Sequence, residues 1–306
     1  MEANLLNYIS NLQLGEVQSF ENMAVIPIFA AENRDVEYIS LRKALEQGSF
    51  VISEVTESGS VPNLKVTNHS DQLVLILDGE EIVGARQNRT LNTSVLIDKN
   101  KEMVIPVSCT EHGRWHYTSS KFSLSDVIMS QKARSSKSFS VHASLLRGAG
   151  YKSDQGKVWS EIDELQQKTG SHSPTSAMKD VFTAKSVELD QYLQAFESMP
   201  NQEGCLVFVN GEFMGLDVIS KGDIYKQVHS QLIKSFAMEA MLERRESIEN
   251  VTKEMGQKFV DDIKDSKEHQ FDGVGLGKDY RYELDNIFGS ALIFNDRVIH
   301  LAFFKK

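Results

Sequence analysis

The sequence predicts an α+β protein. Short Val- and Ile-rich runs fill the stretch from Gly15 to about Ser120, helix-spaced apolar stripes dominate after residue 158, and strand–turn–strand segments recur towards the C-terminus. The expected arrangement is one α+β domain over 1–306: a β-rich half at 1–121, a mobile basic, serine-rich loop at 122–157, and a helical half with two hairpins at 158–306.

The elements follow in order. "ANLLNYISNLQLG" spaces Leu5, Ile9 and Leu12 at helical intervals and stops at Gly15, which reads as a short amphipathic helix. "MAVIPIFAA", "FVISEV", "LKVTN", "LVLIL", "SVLI" and "MVIPVSC" read as strands, interrupted by one helix in "YISLRKALEQG" that ends at Gly48. In "LVLILDGEEIVGA", Asp78-Gly79 suggests a hairpin turn between Leu73–Leu77 and 80–86, the first strand apolar on both faces and therefore covered on both. Residues 114–152 hold seven Lys or Arg, one acid (Asp126) and ten serines, and the second half of the stretch has little periodicity, hence the loop assignment. "VWSEIDELQQKTG" and "SPTSAMKDVFTAKSVELDQYLQAFES" read as two packed helices, the second capped by Ser173 with Pro174 at its first position. "CLVFVNGEFMGLDVI" and "ALIFNDRVIHLAFF" read as hairpins, the first because Asn210-Gly211 suits a type I′ turn. Between them, Ile224, Val228, Leu232 and Phe236 form one stripe of a long helix over about 221–264, with Ser220 and Asp223 as its capping box.

Composition narrows the function classes. A chain of 306 residues, 41% hydrophobic and 25% charged, belongs with soluble globular proteins and buries a large core without staples. A net charge of −10 and a pI near 5.4 make nucleic acid and anionic membrane poor partners, and no apolar run approaches the roughly eighteen residues of a membrane span. Cys109 and Cys205 are far apart and the N-terminus lacks a signal-peptide pattern, so free thiols and a cytoplasmic location are expected.

Polar groups concentrate behind the apolar run at 73–77. Glu80 and Glu81 leave opposite faces of one strand, so at least one approaches the core, where a carboxylate costs several kcal/mol unless paired; Arg86 or Arg89 is the expected partner. Gln87, Asn88 and Asn92 add donors and acceptors at short reach. "IPVSCTEHGRWHY" places Cys109 and Glu111 on one strand face and Ser108, Thr110 and His112 on the other, ahead of Arg114 and Trp115, a guanidinium and an aromatic suited to clamping an anion and stacking on a base. With strands near 80 and 110 side by side, these groups converge on a shared hollow. Glu80, Glu81, Glu111, His112 and His116 are compatible with a divalent metal, although no spacing fixes its geometry. "GVGLGKDYR" is only loosely like a phosphate-cradling loop, and a connector explains it as well.

The segments "LDGEEIVGARQNRTLNTS", "IPVSCTEHGRW", "VWSEI", "SPTSAMKD", "GLDV" and "GLGKDYRYE…GSALIFNDRVIHLAFF" resemble the ARG and rhodanese-phosphatase-superfamily-associated protein family, from about Leu14 to the C-terminus. ARG denotes ADP-ribosylglycohydrolase. The resemblance implies a biochemically undefined family whose gene neighbours belong to ADP-ribose and NAD-consuming pathways, and motif positions at Glu80, Glu81, Gln87, Asn88, Arg89, Asn92, Cys109, Glu111, Gly113, Arg114, Trp115, Ser173, Pro174, Thr175 and Asp180. His112 stands where the family often carries glutamine, which counts against a mechanism centred on it.

Two functions are therefore carried forward. In the first, the protein binds, with or without hydrolytic processing, an ADP-ribose, NAD-related or other nucleotide-type ligand. Glu80, Glu81 and Glu111 are then the candidate catalytic carboxylates, and Gln87, Asn88, Arg89, Asn92, Cys109, Arg114, Trp115, Thr175 and Asp180 the candidate ligand-binding residues. In the second, the cluster is a structural ion-pair network in a non-enzymatic scaffold with a protein partner, with room for a homo-oligomer through the long helix. Single-stranded nucleic-acid binding around Arg134 and Arg147 ranks last.

Overall fold

The computed structural model describes all residues except 31–35, 57–58, 120 and 246–249. The chain is α+β, with mostly antiparallel sheets and a closing hairpin. Its contacts cluster into two compact units, one of residues 1–36, 188–273 and 277–306, the other of residues 37–187 and 274–276. These limits do not follow the boundaries at 121 and 157 read from the sequence, because both termini contribute strands to one sheet.

In the first unit, nine strands among the described residues form one sheet. Its centre is built by the hairpin Gly204–Val209/Glu212–Ile219 and the hairpin Ile287–Phe294/Arg297–Lys305, joined through pairing of Gly215–Ile219 with His300–Phe304. Both turns adopt the left-handed φ that their sequences suit, at Asn210 (53°) and Gly211 (80°), and at Asn295 (50°) and Asp296 (59°). The N-terminal helix Ala3–Ser10 buries Leu5 and Ile9 in the core of this unit. The long helix spans Gly222–Leu242 and buries the expected stripe of Ile224, Val228, Leu232 and Phe236. It ends earlier than expected; a separate helix follows at Lys253–Asp262, and 246–249 lie outside the described residues. The helix starts one residue later than the Ser220–Asp223 capping box requires, with Lys221 and not Ser220 as its N-cap. Ser220 donates its backbone N–H to Ile299 as a continuation of the strand, which leaves Lys221 as N-cap without a side-chain bond.

In the second unit, a three-stranded sheet (Val95–Ile97, Leu73–Ile76, Tyr38–Ser40) faces a six-stranded one. The six-stranded order is Phe122–Ile128, Glu80–Gly84, Arg89–Leu91, Glu102–Cys109, Asn63–Asn68, Phe50–Glu54. Their shared core includes Val74, Ile76, Val95 and Ile97 from one side and Ile52, Leu64, Ile82, Leu91 and Val107 from the other. Leu73–Ile76 is buried at all four positions, as a run apolar on both faces requires.

Three expectations need correction here. Asp78-Gly79 does not close a hairpin: Leu73–Ile76 pairs with Val95–Ile97 and Tyr38–Ser40, whereas Glu80–Gly84 pairs with strands of the other sheet, so the turn passes the chain between sheets. The stretch 122–157 is not a mobile loop. It contains strand Phe122–Ile128, helix Gln131–Leu146 and the start of helix Gln155–Thr169. Helix Gln131–Leu146 buries Arg134, Ser135, Lys137 and Ser138, and a helix whose inner face is polar gives no apolar periodicity to read. Finally, the helix expected from Ser173 begins at Met178 and divides at Lys185. Residues 173–178 are held instead against the 110–113 segment, with Gly113 N–H donating to the Thr175 carbonyl and Met178 N–H to that of Thr110.

Candidate functional site

Strand register in the second unit decides which side chains meet. Arg89 lies opposite Ile82 and Cys109, while Thr90 lies opposite Glu81 and Ser108. Opposed residues share a face and neighbours alternate. Arg89 and Cys109 therefore extend the apolar face of Ile82, Leu91 and Val107, and Glu81, Thr90 and Ser108 occupy the reverse face. The strand of Arg89 runs between that of Glu81 and the one leading to Thr110, and the register puts Glu81 and Arg89 on opposite faces of the sheet instead of in one hollow.

The reverse face is a buried polar layer. Glu81 Oε1 accepts from the Thr110 hydroxyl at 2.7 Å. Ser108 donates to Asn92 Oδ1 at 2.6 Å and also bonds Ser153, and Asn92 Nδ2 donates to the Tyr151 carbonyl at 2.9 Å. Gln155 clamps Cys109 as a strand neighbour would: its Oε1 accepts from Cys109 N–H at 2.7 Å and its Nε2 donates to the Cys109 carbonyl at 2.9 Å. Burial lifts the Glu81 carboxyl to about 7 against the opposing Thr110 and Ser125 hydroxyls and Lys179. Glu80 is also lifted to about 7 by burial, although its Oε2 accepts from Leu77 N–H at 2.7 Å and Arg42 and Arg134 favour its charge.

Two ion-pair networks flank this layer. Asp78 is paired with Arg134 Nε at 3.2 Å and with Lys137 Nζ, all three buried, and Lys137 also donates to the Leu91 carbonyl. Gly79 presses on this network, for a Cβ there would stand 2.9 Å from Arg134 Cδ. Glu111 is paired with Arg114 Nη2 at 2.6 Å and also accepts from Asn88 N–H (3.1 Å) and the Thr175 hydroxyl (2.8 Å). Burial opposes its charge, but these bonds outweigh it and hold Glu111 below the ordinary carboxylate range. Gln87 Nε2 donates to the Glu111 carbonyl, and Arg114 also holds Asn88 Oδ1 and the Ala85 and His116 carbonyls. Glu111 thus has Arg114 as partner, and neither Glu80 nor Glu81 forms the expected pair with Arg86 or Arg89.

Among the described residues, Arg89 is the buried cation of this unit with guanidinium nitrogens left unbonded. Its Nη1 donates to Gln87 Oε1 at 3.0 Å and to the Asn88 carbonyl at 3.3 Å, but buried Nε and Nη2 have no hydrogen-bond partner. Burial lowers its pKa, and Cys109 and Glu54 are the foremost opposing influences. Half-exposed Trp115 covers it, with the guanidinium carbon 5.8 Å from the ring centroid, and Arg86 lies over Trp115 (5.6 Å) and Tyr117 (4.5 Å).

The remaining sequence candidates are placed as follows. Cys109 is a buried free thiol whose pKa burial pushes up, and His112 lies tilted against Trp159 with ring centroids 4.3 Å apart. Asp180 accepts from the Ser173 hydroxyl at 2.6 Å, which fixes the turn before its own helix. Glu80, Glu81, Glu111, His112 and His116 do not gather into a metal-ligand set among the described residues. The "GVGLG" segment docks as an edge bridge, Leu276 N–H donating to the Leu96 carbonyl, and a Cβ on Gly275 would sit 2.2 Å from that oxygen. Asp78, Arg134, Lys137, Gln155 and Glu54 are the residues that sequence reasoning missed. The i, i+3 spacing of Arg134 and Lys137 was the available signal.

Fold and site together define an α+β protein whose second unit carries a buried, hydrogen-bonded polar layer beside an incompletely satisfied guanidinium. The profile of the ARG and Rhodanese-Phosphatase-superfamily-associated Protein domain matches residues 11–304, and the chain belongs to that family. Neither a curated protein nor a solved structure matches the chain. Among the described residues, no helix is long and apolar enough to cross a membrane.

Proposed function

We propose that the second unit binds a small anionic ligand of the ADP-ribose or nucleotide class, with Arg89 as its anchor. One observation carries this reading: the Nε/Nη2 edge of a fully buried guanidinium has no protein partner. The comparison with Arg281 in the first unit is instructive, since there the same edge holds Asp279 side-on, at 2.6 and 2.9 Å. That edge matches two oxygens of a phosphate or carboxylate, and buried donors without acceptors cost about 1–3 kcal/mol each. Trp115 supplies an aromatic wall beside it. Family membership, with its ADP-ribose and NAD context, favours a phosphate over other anions.

Binding is better supported than hydrolysis. Glu81, lifted near neutrality and so suited to acid–base work, leaves the sheet on the face opposite Arg89, and Glu111 is committed to Arg114. The closed Asp78 and Glu111 networks favour the scaffold reading for those residues, and we assign them a structural role within the binding unit.

The test is thermal shift and titration calorimetry with ADP-ribose, NAD, nucleotides and inorganic phosphate, with and without divalent metal, on the wild type and Arg89→Gln. Ligand at a hundred times Kd adds about 2.7 kcal/mol, a rise of several degrees in Tm. Arg89→Gln should abolish that rise while melting at or above the wild-type temperature, because it relieves an unsatisfied buried charge. Failure of every probe to shift the wild type, with Arg89→Gln unfolded, would overturn the proposal in favour of a purely structural arginine.

A further inference from the structure

Helix Gly222–Leu242 of the first unit carries Tyr225 and His229 one turn apart, so their buried side chains leave the same flank of the helix. Each holds one end of the turn that joins helix Ser186–Ala195 to strand Gly204–Val209. At one end, His229 Nε2 bonds the Phe196 carbonyl at 2.7 Å. At the other, Gln202 Nε2 donates to the Tyr225 hydroxyl at 3.0 Å and to the Gly204 carbonyl at 2.8 Å, while its Oε1 accepts from Met199 N–H at 2.9 Å. Tyr225 and His229 are themselves joined at 2.9 Å. Phe196 and Gln202 are buried, and Glu197, Met199, Pro200 and Asn201 between them are exposed. Both inward-facing ends of the turn therefore lead to one Tyr–His pair.

A carbonyl can only accept, so His229 carries its proton on Nε2 and its Nδ1 accepts from the Tyr225 O–H. The ring is neutral in this arrangement. A second proton would occupy the Nδ1 lone pair, end the Tyr225 donation and place an imidazolium in the interior where, among the described residues, no carboxylate bonds it. The titratable groups around the pair come from four elements. Cys205 and Asp217, opposite each other on strands Gly204–Val209 and Glu212–Ile219, act on Tyr225; Asp217 is itself bonded by His300 of strand Arg297–Lys305 at 3.3 Å; and Tyr192 of helix Ser186–Ala195 lies against the Phe196 ring, centroids 6.5 Å apart. Burial holds His229 below its ordinary value, although the bond to the Phe196 carbonyl favours its charge. We infer that Tyr225 and His229 form a proton-operated latch on the 197–203 turn, closed while the imidazole is neutral and released when it takes a second proton. A histidine whose pKa folding lowers stabilises the closed turn fully above 6.5, its free value, and that contribution is lost as pH falls from there towards the folded value. The latch lies in the first unit and does not depend on the anion-binding reading of Arg89.

The experiment follows hydrogen–deuterium exchange of the full chain from neutral pH to about pH 5, corrected for the intrinsic rate at each pH, beside a nitrogen NMR titration of the histidine rings. Wild type, His229→Gln and Tyr225→Phe are compared, with melting curves recorded to certify each fold. In wild type, residues 197–203 should lose about tenfold protection towards the acid end, the equivalent of one pKa unit, in step with protonation of the His229 ring and with strand Gly204–Val209 still protected. His229→Gln keeps an N–H for the Phe196 carbonyl but cannot take up a proton, and should lose the acid step. A step of the same size in His229→Gln, protection of 197–203 that does not change across the range, or a His229 ring that protonates while the turn stays protected overturns the latch. Should His229→Gln fail to fold, Tyr225→Phe decides: deleting one hydroxyl should lower the protection of 197–203 at neutral pH, and unchanged protection there refutes the latch.

Discussion

Asp78→Ala should be among the most damaging single substitutions in the second unit. The carboxylate is paired with Arg134 and Lys137, and the three side chains are 3%, 1% and 0% exposed, so solvent cannot replace it. Removing one partner of a buried ion pair costs about 3–5 kcal/mol, because the remaining charge is stranded. For a unit of this size each kcal/mol moves Tm by about 2–4 °C, which places the expected fall at roughly 6–20 °C. Lys137→Met is the control. It removes the Lys137–Asp78 pair and the bond to the Leu91 carbonyl but leaves Asp78 paired with Arg134 and puts an apolar chain of similar length in the buried space, so a smaller loss of about 1–3 kcal/mol is expected. Urea and thermal melts of wild type and both variants measure the difference. A loss under 1 kcal/mol for Asp78→Ala, or a larger loss for Lys137→Met, would refute the reasoning.

Stability should also depend on pH in a direction set by the buried carboxyls. Glu80 and Glu81 sit near 7 in the folded state against 4.5 in the free chain, so the folded form holds protons that the unfolded form has released. Their contribution is full below about 4.5 and is lost as pH rises towards 7, on the order of 3 kcal/mol each as an upper bound. Glu111, held low, contributes the opposite way: its stabilisation is present above 4.5 and disappears as pH falls through its folded value. Tm should therefore peak near pH 5, and Glu81→Gln should flatten the decline from pH 5 to 7.5; a wild-type curve that rises across that range would disprove the assignment. Gly275→Ala drives a methyl into the Leu96 carbonyl and should cost about 1–3 kcal/mol, with faster amide exchange at Leu276; unchanged exchange there would count against the edge bridge.

The chain's own pattern was enough for the outer framework. Period-two runs and turn pairs such as Asn210-Gly211 and Asn295-Asp296 specify strands and hairpins because the information is local: side-chain alternation and a left-handed φ need no distant partner. The density of polar groups between Glu80 and Trp115 was visible for the same reason, as was the family. Their partners were not. Asp78 reads as a turn residue and Arg134 and Lys137 as members of a solvated basic stretch until tertiary contact brings them together across 56 and 59 residues. The register of one short strand, Arg89–Leu91, sends Glu81 and Arg89 to opposite faces, and a shift by one residue would reverse that sorting. Which carboxylate pairs with which guanidinium, and which is left without a partner, is a question of distance in three dimensions, and electrostatic pairing falls off too quickly with distance for sequence proximity to stand in for it.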